Sequence, residues 1–207
     1  MRTTTDDFAE RLLPMTFLQT ERLTLRDYVA SDWRDIVRLH TDPDVVRYLV
    51  DAVPTTPLAT GAFINVINKL RIESPTLGIW RAGLRADDTF IGNFSLMPLA
   101  GTDDIEIGAR LLKRAWGGGY SIECGLALLQ YAFDELKLPR VVSMCHPDNR
   151  AAAQSLIALG FSRQGIAGHY GRELPFFVIP AAHWREQTSL GLSWRARARM
   201  NLRAQKK

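Results

Sequence analysis

Three consecutive glycines, Gly117, Gly118 and Gly119, stand between two segments whose apolar residues follow different periods. Upstream, residues 105–112 alternate apolar and other side chains, as a strand with one buried face does. Downstream, apolar residues recur every three or four positions over 122–136, which predicts a helix. Glycines let a ligand approach the backbone, and the first amides of a helix carry the positive end of its dipole. The arrangement therefore predicts a site for an anion such as a phosphate or pyrophosphate.

The two most familiar nucleotide-binding loops do not fit this stretch. A P-loop needs lysine and then serine or threonine directly after its last glycine, where this chain has Tyr120 and Ser121. A dinucleotide fingerprint starting at Gly117 would need glycine at position 122, which is occupied by Ile122. The loop could still bind a phosphate-containing ligand in a different way. The alternative is that the glycines only reverse the chain.

The composition is that of a globular protein with one domain of ordinary size. Its 207 residues are 46 % hydrophobic and 23 % charged, and no apolar run approaches the length of a membrane span. The first residues lack the apolar region of a signal peptide. Only Cys124 and Cys145 occur, without metal-binding spacing, so we expect reduced, buried thiols, a cytoplasmic protein and no metal.

The positive charge is concentrated at the carboxyl end. Residues 194–207 carry +6 and no acid, so the rest of the chain carries −2 against a total of +4. The basic residues are Arg195, Arg197, Arg199, Arg203, Lys206 and Lys207. Such a tail is one way to contact RNA, a ribosome or an acidic partner. The alternative is a solvated helix or a frayed end.

The order of elements predicts a mixed α/β sheet with helices on both faces. Strands are expected at 17–28, 77–84, 90–97, 105–112, 140–146, 162–169 and 174–179. Helices are expected to begin near Ser31 and Thr56 as N-caps, after the glycines, and over 151–159, where Gly160 ends the helix. Asp42, Pro43 and Asp44 should break the first helix. Three strands joined by polar turns predict an antiparallel meander.

These elements predict one domain over 16–187. It is preceded by an extension at 1–15, with a short helix through Phe8, Leu12 and Leu13, and followed by a basic tail at 188–207.

Several local motifs resemble the GNAT N-acetyltransferase superfamily, in its RimJ/RimL-like (ribosomal-protein N-terminal acetyltransferase-like) branch. Arg114-x-x-Gly117-x-Gly119 is similar to the R/Q-x-x-G-x-G/A pyrophosphate loop of that superfamily. Residues 18–26 resemble its TERL-x-LR strand, 106–108 its EIG strand and 116–120 its WGKGY loop. Residues 147–149 and 159–161 resemble its PDN…LGF pair. The resemblance spans about residues 18–186.

The resemblance implies a twisted, mostly antiparallel sheet in which two splayed strands hold acetyl-coenzyme A. The pyrophosphate would lie on the amides of the glycine loop, and the pantetheine arm would contact the preceding strand and Asn149. The cofactor-binding residues implied in this way are Ala109, Arg110, Leu111, Arg114, Trp116, Gly117, Gly118, Gly119, Tyr120, Ser121, Asn149, Ala152 and Ser155.

The resemblance also suggests catalytic residues. Glu106 is the first candidate for the base that deprotonates an amine, and its alternative is a solvated or salt-bridged strand carboxylate. His169 is the second, since its ordinary pKa suits proton transfer near neutrality, and its alternative is a surface histidine. Where related enzymes often carry serine and tyrosine, this chain has Ala152 and Leu156, which leaves Tyr170 or Ser155 as substitute acids. Gly118 replaces a lysine common in the branch.

The expected function is transfer of an acetyl group from acetyl-coenzyme A to a primary amine, on a protein N-terminus or a small molecule. The protein would be a cytoplasmic monomer or homodimer without membrane contact. One alternative is a non-catalytic acyl-coenzyme A sensor, because the usual acids are missing at Ala152 and Leu156. Another is a ribosome- or RNA-associated protein that binds through its tail.

Overall fold

The computed structural model describes residues 15–49 and 55–204. The strands of this part are β1 (Thr16–Gln19), β2 (Leu23–Arg26), β3 (Gly78–Leu84), β4 (Phe90–Pro98), β5 (Ile105–Leu111), β6 (Arg140–Met144), β7 (Ser162–His169) and β8 (Arg172–Pro180). The helices are α1 (Trp33–Thr41), α2 (Pro43–Val46), α3 (Pro57–Glu73), α4 (Tyr120–Gln130), α5 (Arg150–Leu159), α6 (Ala181–Ser189) and α7 (Trp194–Ala204).

The strands described form one sheet in the order β1-β2-β3-β4-β5-β6-β8-β7. Every neighbouring pair is antiparallel except β5 with β6, which is parallel. The predicted mixed, mostly antiparallel sheet and the meander of three strands are therefore confirmed. No helix in 15–49 or 55–204 is long and apolar enough to cross a membrane.

Helices cover both faces of the sheet, as predicted. Successive residues of a strand point to opposite faces. On β3, Trp80 is buried in the main core, to which α4 and α5 contribute, whereas its neighbour Ile79 packs against a second cluster. That second cluster contains Ile36 of α1 and Ile64 of α3. The sheet is thus the middle layer of the domain.

The prediction of one continuous strand over 17–28 is wrong, because this segment forms two strands, β1 and β2, joined by a tight turn. The backbone amide of Thr20 donates to the carbonyl of Leu23 at 2.9 Å, and the amide of Leu23 donates to Thr20 Oγ1 at 3.0 Å. A threonine hydroxyl that bonds the backbone locally competes with a continuous strand. The chain therefore reverses at this point, and β1 pairs with β2 as a hairpin.

The predicted cap at Ser31 is also wrong. A 3₁₀ turn, Ala30–Asp32, precedes α1, and the carboxylate of Asp32 accepts from the amide of Val29 at 2.8 Å. Asp32 also pairs with Arg26, six residues earlier, at 2.7 Å, so its carboxylate is held where it can accept from Val29. The cap at Thr56 is confirmed, because its hydroxyl accepts from the amide of Ala59 at 3.3 Å.

The predicted break after α1 is confirmed: Asp42 Oδ1 accepts from the amide of Asp44 at 3.0 Å and caps α2. Gly160 ends α5 with φ of 101°, the left-handed conformation expected of a glycine there. The expected helix through Phe8, Leu12 and Leu13 lies outside the described residues.

The basic end of the chain folds back onto the domain. Helix α7 packs on α5 and buries Ala198 and Asn201, so one face of this predicted tail is neither solvated nor frayed. Asn201 Nδ2 donates to the carbonyl of Ala158 at 3.0 Å. The boundary between domain and tail at residue 187 stays a prediction.

Candidate active site

The site begins where the parallel pair β5–β6 stops pairing. Only Glu106 and Val142 are paired across these strands in the part of the chain described. One further link is the hydroxyl of Ser143, which donates to the carbonyl of Ile107 at 2.9 Å. Beyond this point β5 continues along β4 to Leu111, while β6 continues along β8. The carboxyl half of β5 therefore presents a backbone edge outside the ladder, as the splayed strand pair requires.

The three residues expected to contact the pantetheine arm, Ala109, Arg110 and Leu111, are the last three residues of β5. Ala109 is exposed, and Leu111 is half-buried. The side chain of Arg110 turns to α1, where its Nη1 lies 3.2 Å from His40 Nε2. The carbonyl of Leu111 accepts from Trp116 Nε1 at 2.8 Å, so this half-exposed tryptophan fastens the loop to the end of the strand.

The glycine loop leads into α4 without a side-chain cap. Gly117 and Gly119 have φ of 74° and 78°, values that favour glycine. Gly119 is the N-cap of α4 and has no side chain to satisfy the amides of the first turn. Tyr120 and Ser121, at the start of that turn, are half-buried. The amides of a first turn without a side-chain cap and the positive end of the helix dipole suit an anion, and binding of a phosphate here stays a prediction.

The loop is packed from behind by aromatic rings. A Cβ at Gly118 would lie 2.8 Å from the ring of Tyr120 in its present position. A Cβ at Gly119 would lie 3.1 Å from the ring of Trp194 and 3.7 Å from Arg22 Nη2. Close packing therefore disfavours a side chain at Gly118, whereas Gly119 is favoured by its positive φ and is also tightly packed.

A buried ion pair underneath the loop was missed by the sequence reasoning. Glu123, only 5 % exposed, accepts from Thr20 Oγ1 at 2.6 Å, from the Arg22 amide at 2.8 Å and from Arg22 Nε at 2.6 Å. Arg22 Nη1 then donates to the carbonyl of Gly118 at 3.0 Å. Burial alone would raise the pKa of Glu123, but the hydrogen bonds from Thr20 and Arg22 outweigh it and lower that pKa. Arg22 therefore joins the β1–β2 hairpin to the glycine loop.

Arg114, which was expected to complement phosphate, is directed elsewhere. Its Nη2 donates to the carbonyl of Phe90 at the start of β4, at 2.5 Å. The residue belongs to the 3₁₀ turn Lys113–Ala115 that connects β5 to the loop, and it is exposed. In this arrangement it braces the turn, and its contact with phosphate stays a prediction.

On the β6 side of the splayed strand pair, Asn149 caps α5 with its side chain. Its Oδ1 accepts from the amide of Ala152 at 3.0 Å, so this oxygen is already used by the helix. Ala152 and Ser155 are half-buried on α5, and Leu156 is 8 % exposed. Their contacts with a coenzyme stay predictions, as does that of Asn149.

The structure brings two of the predicted catalytic residues together. Tyr170 Oη donates to Glu106 Oε2 at 2.5 Å, although 64 residues separate them. Tyr170 lies in the two-residue turn between β7 and β8, with φ of 54°, followed by Gly171 with φ of 68°. Such turns favour Asn-Gly, because a side chain with a Cβ is strained at positive φ. A tyrosine held there points to a role for its hydroxyl.

His169 is close to this pair in sequence but has a different neighbour. Its ring lies 6.5 Å from that of Phe176, centroid to centroid. Residues 168–173 line a cavity of about 460 Å³ together with Leu99 and Ala100. His169 and Tyr170 therefore line the same space, to which Glu106 is linked through its hydrogen bond with Tyr170.

Known proteins are similar to this chain in sequence and in fold. The model of the acetyltransferase (GNAT) domain matches residues 22–162. An uncharacterised N-acetyltransferase of Bacillus subtilis strain 168, YnaD, is 28 % identical over 150 residues, covering 72 % of this chain and 84 % of that protein.

Solved structures agree with this likeness in fold. A GNAT-family acetyltransferase from Bacillus anthracis superposes with a TM-score of 0.68 at 24 % identity, over 80 % of this chain and 99 % of that one. Mycobacterium smegmatis RimJ, in complex with CoA-disulfide, gives 0.66 at 15 % identity over 82 % and 89 %. Since the family model covers more than half of the chain, and the splayed strands and glycine loop agree with it, this chain belongs to the GNAT acetyltransferase family and is an acetyltransferase.

Proposed function

We propose that this enzyme transfers an acetyl group from acetyl-coenzyme A to a primary amine by direct attack within a ternary complex. The observation that carries the proposal is the glycine loop, with its uncapped helix N-terminus, at the open end of the β5–β6 pair. An anion site at that position suits the pyrophosphate of coenzyme A. The backbone edge of β5 then suits the amides of the pantetheine arm, which would add to it as a short strand does.

In the proposed reaction the amine nitrogen attacks the thioester carbonyl, the carbon–sulfur bond breaks, and coenzyme A leaves as a thiolate. The amine must be neutral to attack, so Glu106 accepts a proton from it, directly or through a water. An amide of the free β5 edge would donate to the oxygen that becomes negative in the tetrahedral intermediate.

Tyr170 is our candidate for the acid that protonates the leaving thiolate. Its hydroxyl is bonded to Glu106, so a proton taken up by the carboxylate has a short route to the phenol oxygen. Leu156 cannot supply a proton at the family's usual acid position on α5. His169 lines the same cavity, and we assign it to the acceptor side.

The open cavity lined by His169 and Tyr170 is compatible with two classes of acceptor. Its walls are formed by the β7–β8 turn and the end of β4, and its volume of about 460 Å³ admits either a small amine or the first residues of a protein chain. The alternative function, binding acyl-coenzyme A without turnover, shares the glycine loop but makes no use of the Glu106–Tyr170 pair. Activity of variants of this pair therefore separates the two.

Calorimetric titration with acetyl-coenzyme A tests the loop first. The parent should bind, and Gly119→Glu should not, because the new Cβ would be strained in the left-handed conformation and the carboxylate would repel the pyrophosphate. Gly101→Glu is the matched control: Gly101 has the same φ of 78° but lies in a turn with open space around it. Failure of the parent to bind would refute the proposal.

Turnover is tested next with a panel of amines. Transfer by the parent that is lost in Glu106→Gln, with unchanged coenzyme binding, supports the enzymatic assignment of this pair. Tight binding of acetyl-coenzyme A without transfer to any amine or peptide N-terminus would favour the sensor.

A further inference from the structure

Helix α7 contacts the glycine loop through its first residue. Trp194 opens α7, and its ring lies against Gly119, where a Cβ would approach it to 3.1 Å. The guanidinium of Arg22 lies 4.4 Å from the centroid of the Tyr120 ring and 5.9 Å from that of Trp194. Arg22 is thus enclosed between the helix that carries the anion site and the helix that ends the described chain.

The far end of α7 is fixed by a buried polar cluster. Asn201 is 7 % exposed, and its side-chain amide donates to the carbonyl of Ala158 at 3.0 Å. It also exchanges hydrogen bonds with the side chain of Gln187 on α6, at 3.0 and 3.2 Å. Buried amides left unpaired are costly, so these bonds hold α7 in one position on α5 and α6. Trp194, about two turns away, is positioned by that docking.

Arg22 transmits this position to the loop. Its Nη1 holds the carbonyl of Gly118, while its Nε is bonded to the buried carboxylate of Glu123 on α4. A carbonyl that is held by Arg22 cannot turn towards an incoming phosphate, so the neighbouring amides stay available to the anion. Three glycines without such contacts would sample many conformations and would lose more entropy when a ligand ordered them.

We propose that α7 is a working part of the coenzyme site: Trp194, through Arg22, holds the glycine loop in the conformation that binds the pyrophosphate. Trp194 and Arg22 are positioning residues, because they act through the loop and not on the reacting atoms. The family match ends at residue 162, well before Trp194, so this contact is not contained in the matched domain. The inference rests on the proposed binding of acetyl-coenzyme A.

The test is calorimetric titration of the full chain with coenzyme A, together with the KM for acetyl-coenzyme A, the KM for the amine and kcat. Trp194→Ala should weaken coenzyme binding about tenfold, a loss of roughly 1.4 kcal/mol, and should raise the KM for acetyl-coenzyme A in parallel. The KM for the amine and kcat should change less than twofold. Trp194→Phe keeps a ring over Arg22 and should restore binding to within about threefold of the parent.

Two further variants serve as comparisons. Trp194→Leu keeps much of the apolar volume but removes the ring. It is used in place of Trp194→Ala if the alanine variant does not fold. Arg199→Ala removes an exposed positive charge from α7 and should bind like the parent, which separates loop positioning from the general charge of the helix.

The outcomes are distinct. Absence of coenzyme binding by the parent defeats the proposed function itself. A parent that binds, with Trp194→Ala or Trp194→Leu binding equally well, overturns the role of α7 and leaves the function intact. A fall in kcat together with a rise of similar size in both KM values would also overturn it, because these changes would indicate general structural damage.

Discussion

The buried carboxylate under the glycine loop offers the most direct test of how the site is held together. Glu123→Gln keeps the side-chain volume and removes the negative charge. In the parent, this group accepts three hydrogen bonds from Thr20 and Arg22 within a nearly closed environment. The glutamine must present its NH₂ to one of these donors, so at least one of the three bonds is replaced by a donor–donor contact.

The expected loss can be estimated from these contacts. Breaking a fully buried ion pair costs about 3–5 kcal/mol, but the side chain of Arg22 is 30 % exposed, so part of its charge remains hydrated. Losing a hydrogen bond to a charged group costs about 1.5–3 kcal/mol. We therefore expect about 2–3 kcal/mol of lost stability near neutral pH, which corresponds to a fall in Tm of about 4–12 °C for a chain of this size.

The loss should depend on pH in a defined direction. The pKa of Glu123 in the folded protein is lower than its ordinary value of 4.5, so the ionised carboxylate favours folding. This contribution is fully present above pH 4.5 and disappears as the pH falls through the lowered pKa. The difference between parent and Glu123→Gln should therefore be constant from pH 6 to 8 and shrink below about 4.5.

Urea unfolding of both proteins across this pH range measures the difference, with Glu73→Gln as the matched control. Glu73 pairs with Lys69 at 3.8 Å on the exposed face of α3, and both side chains are more than half exposed. Its removal should cost less than about 0.5 kcal/mol. Equal stability of Glu123→Gln and parent at pH 7, or a gap that does not narrow in acid, would refute the reasoning.

Three further predictions concern single side chains. Glu106→Gln should lower kcat by about 10²-fold or more in an acetyl-transfer assay while the Kd for coenzyme A stays within twofold, and an unchanged kcat would remove it as the base. Tyr170→Asn and Tyr170→Phe both lose the hydrogen bond to Glu106 and should slow turnover, but asparagine tolerates the positive φ better, so Tyr170→Asn should be the more stable of the two by about 1 kcal/mol; equal stability would show that no strain is stored there. Burial raises the pKa of Cys124 strongly and that of Cys145 less, so a thiol reagent should label Cys145 first in the native protein, and faster labelling of Cys124 would contradict its burial.

The features that the sequence predicted well are those decided locally. The period change around the glycines and the Thr56–Pro57 start of α3 depend on neighbouring residues, and both were found from spacing alone. The hairpin at Thr20 was missed because a hydroxyl bonded to the backbone ended a strand whose apolar alternation continued. The Ser31 cap was wrong because a 3₁₀ turn, closed by the bond from the Val29 amide to Asp32, precedes the helix and includes Ser31.

The site was predicted residue by residue, but its contacts were not. Arg22 lies in a recognised strand motif, yet its partner Glu123 is 101 residues further on, and no local pattern joins them. Trp194 was treated as part of a basic tail, whereas the fold places its ring on Gly119. Arg114 was assigned by motif to phosphate, which stays a prediction, and its contact with the carbonyl of Phe90 was not foreseen. Long-range contacts of this kind follow from packing, which spacing in one sequence does not contain.

The pairing of Glu106 with Tyr170 has a consequence for how the enzyme tolerates Leu156. An acid on α5 would be held by a regular helix and would act independently of the base on β5. An acid on the β7–β8 turn is held at positive φ, a strained conformation, and the 2.5 Å hydrogen bond to Glu106 offsets that strain. In the proposed reaction the carboxylate would hold the phenol in place through this bond, and the proton that it gained from the amine would be delivered to the same group. Base and acid would then act as one proton relay, which removes the need for a hydroxyl at position 156.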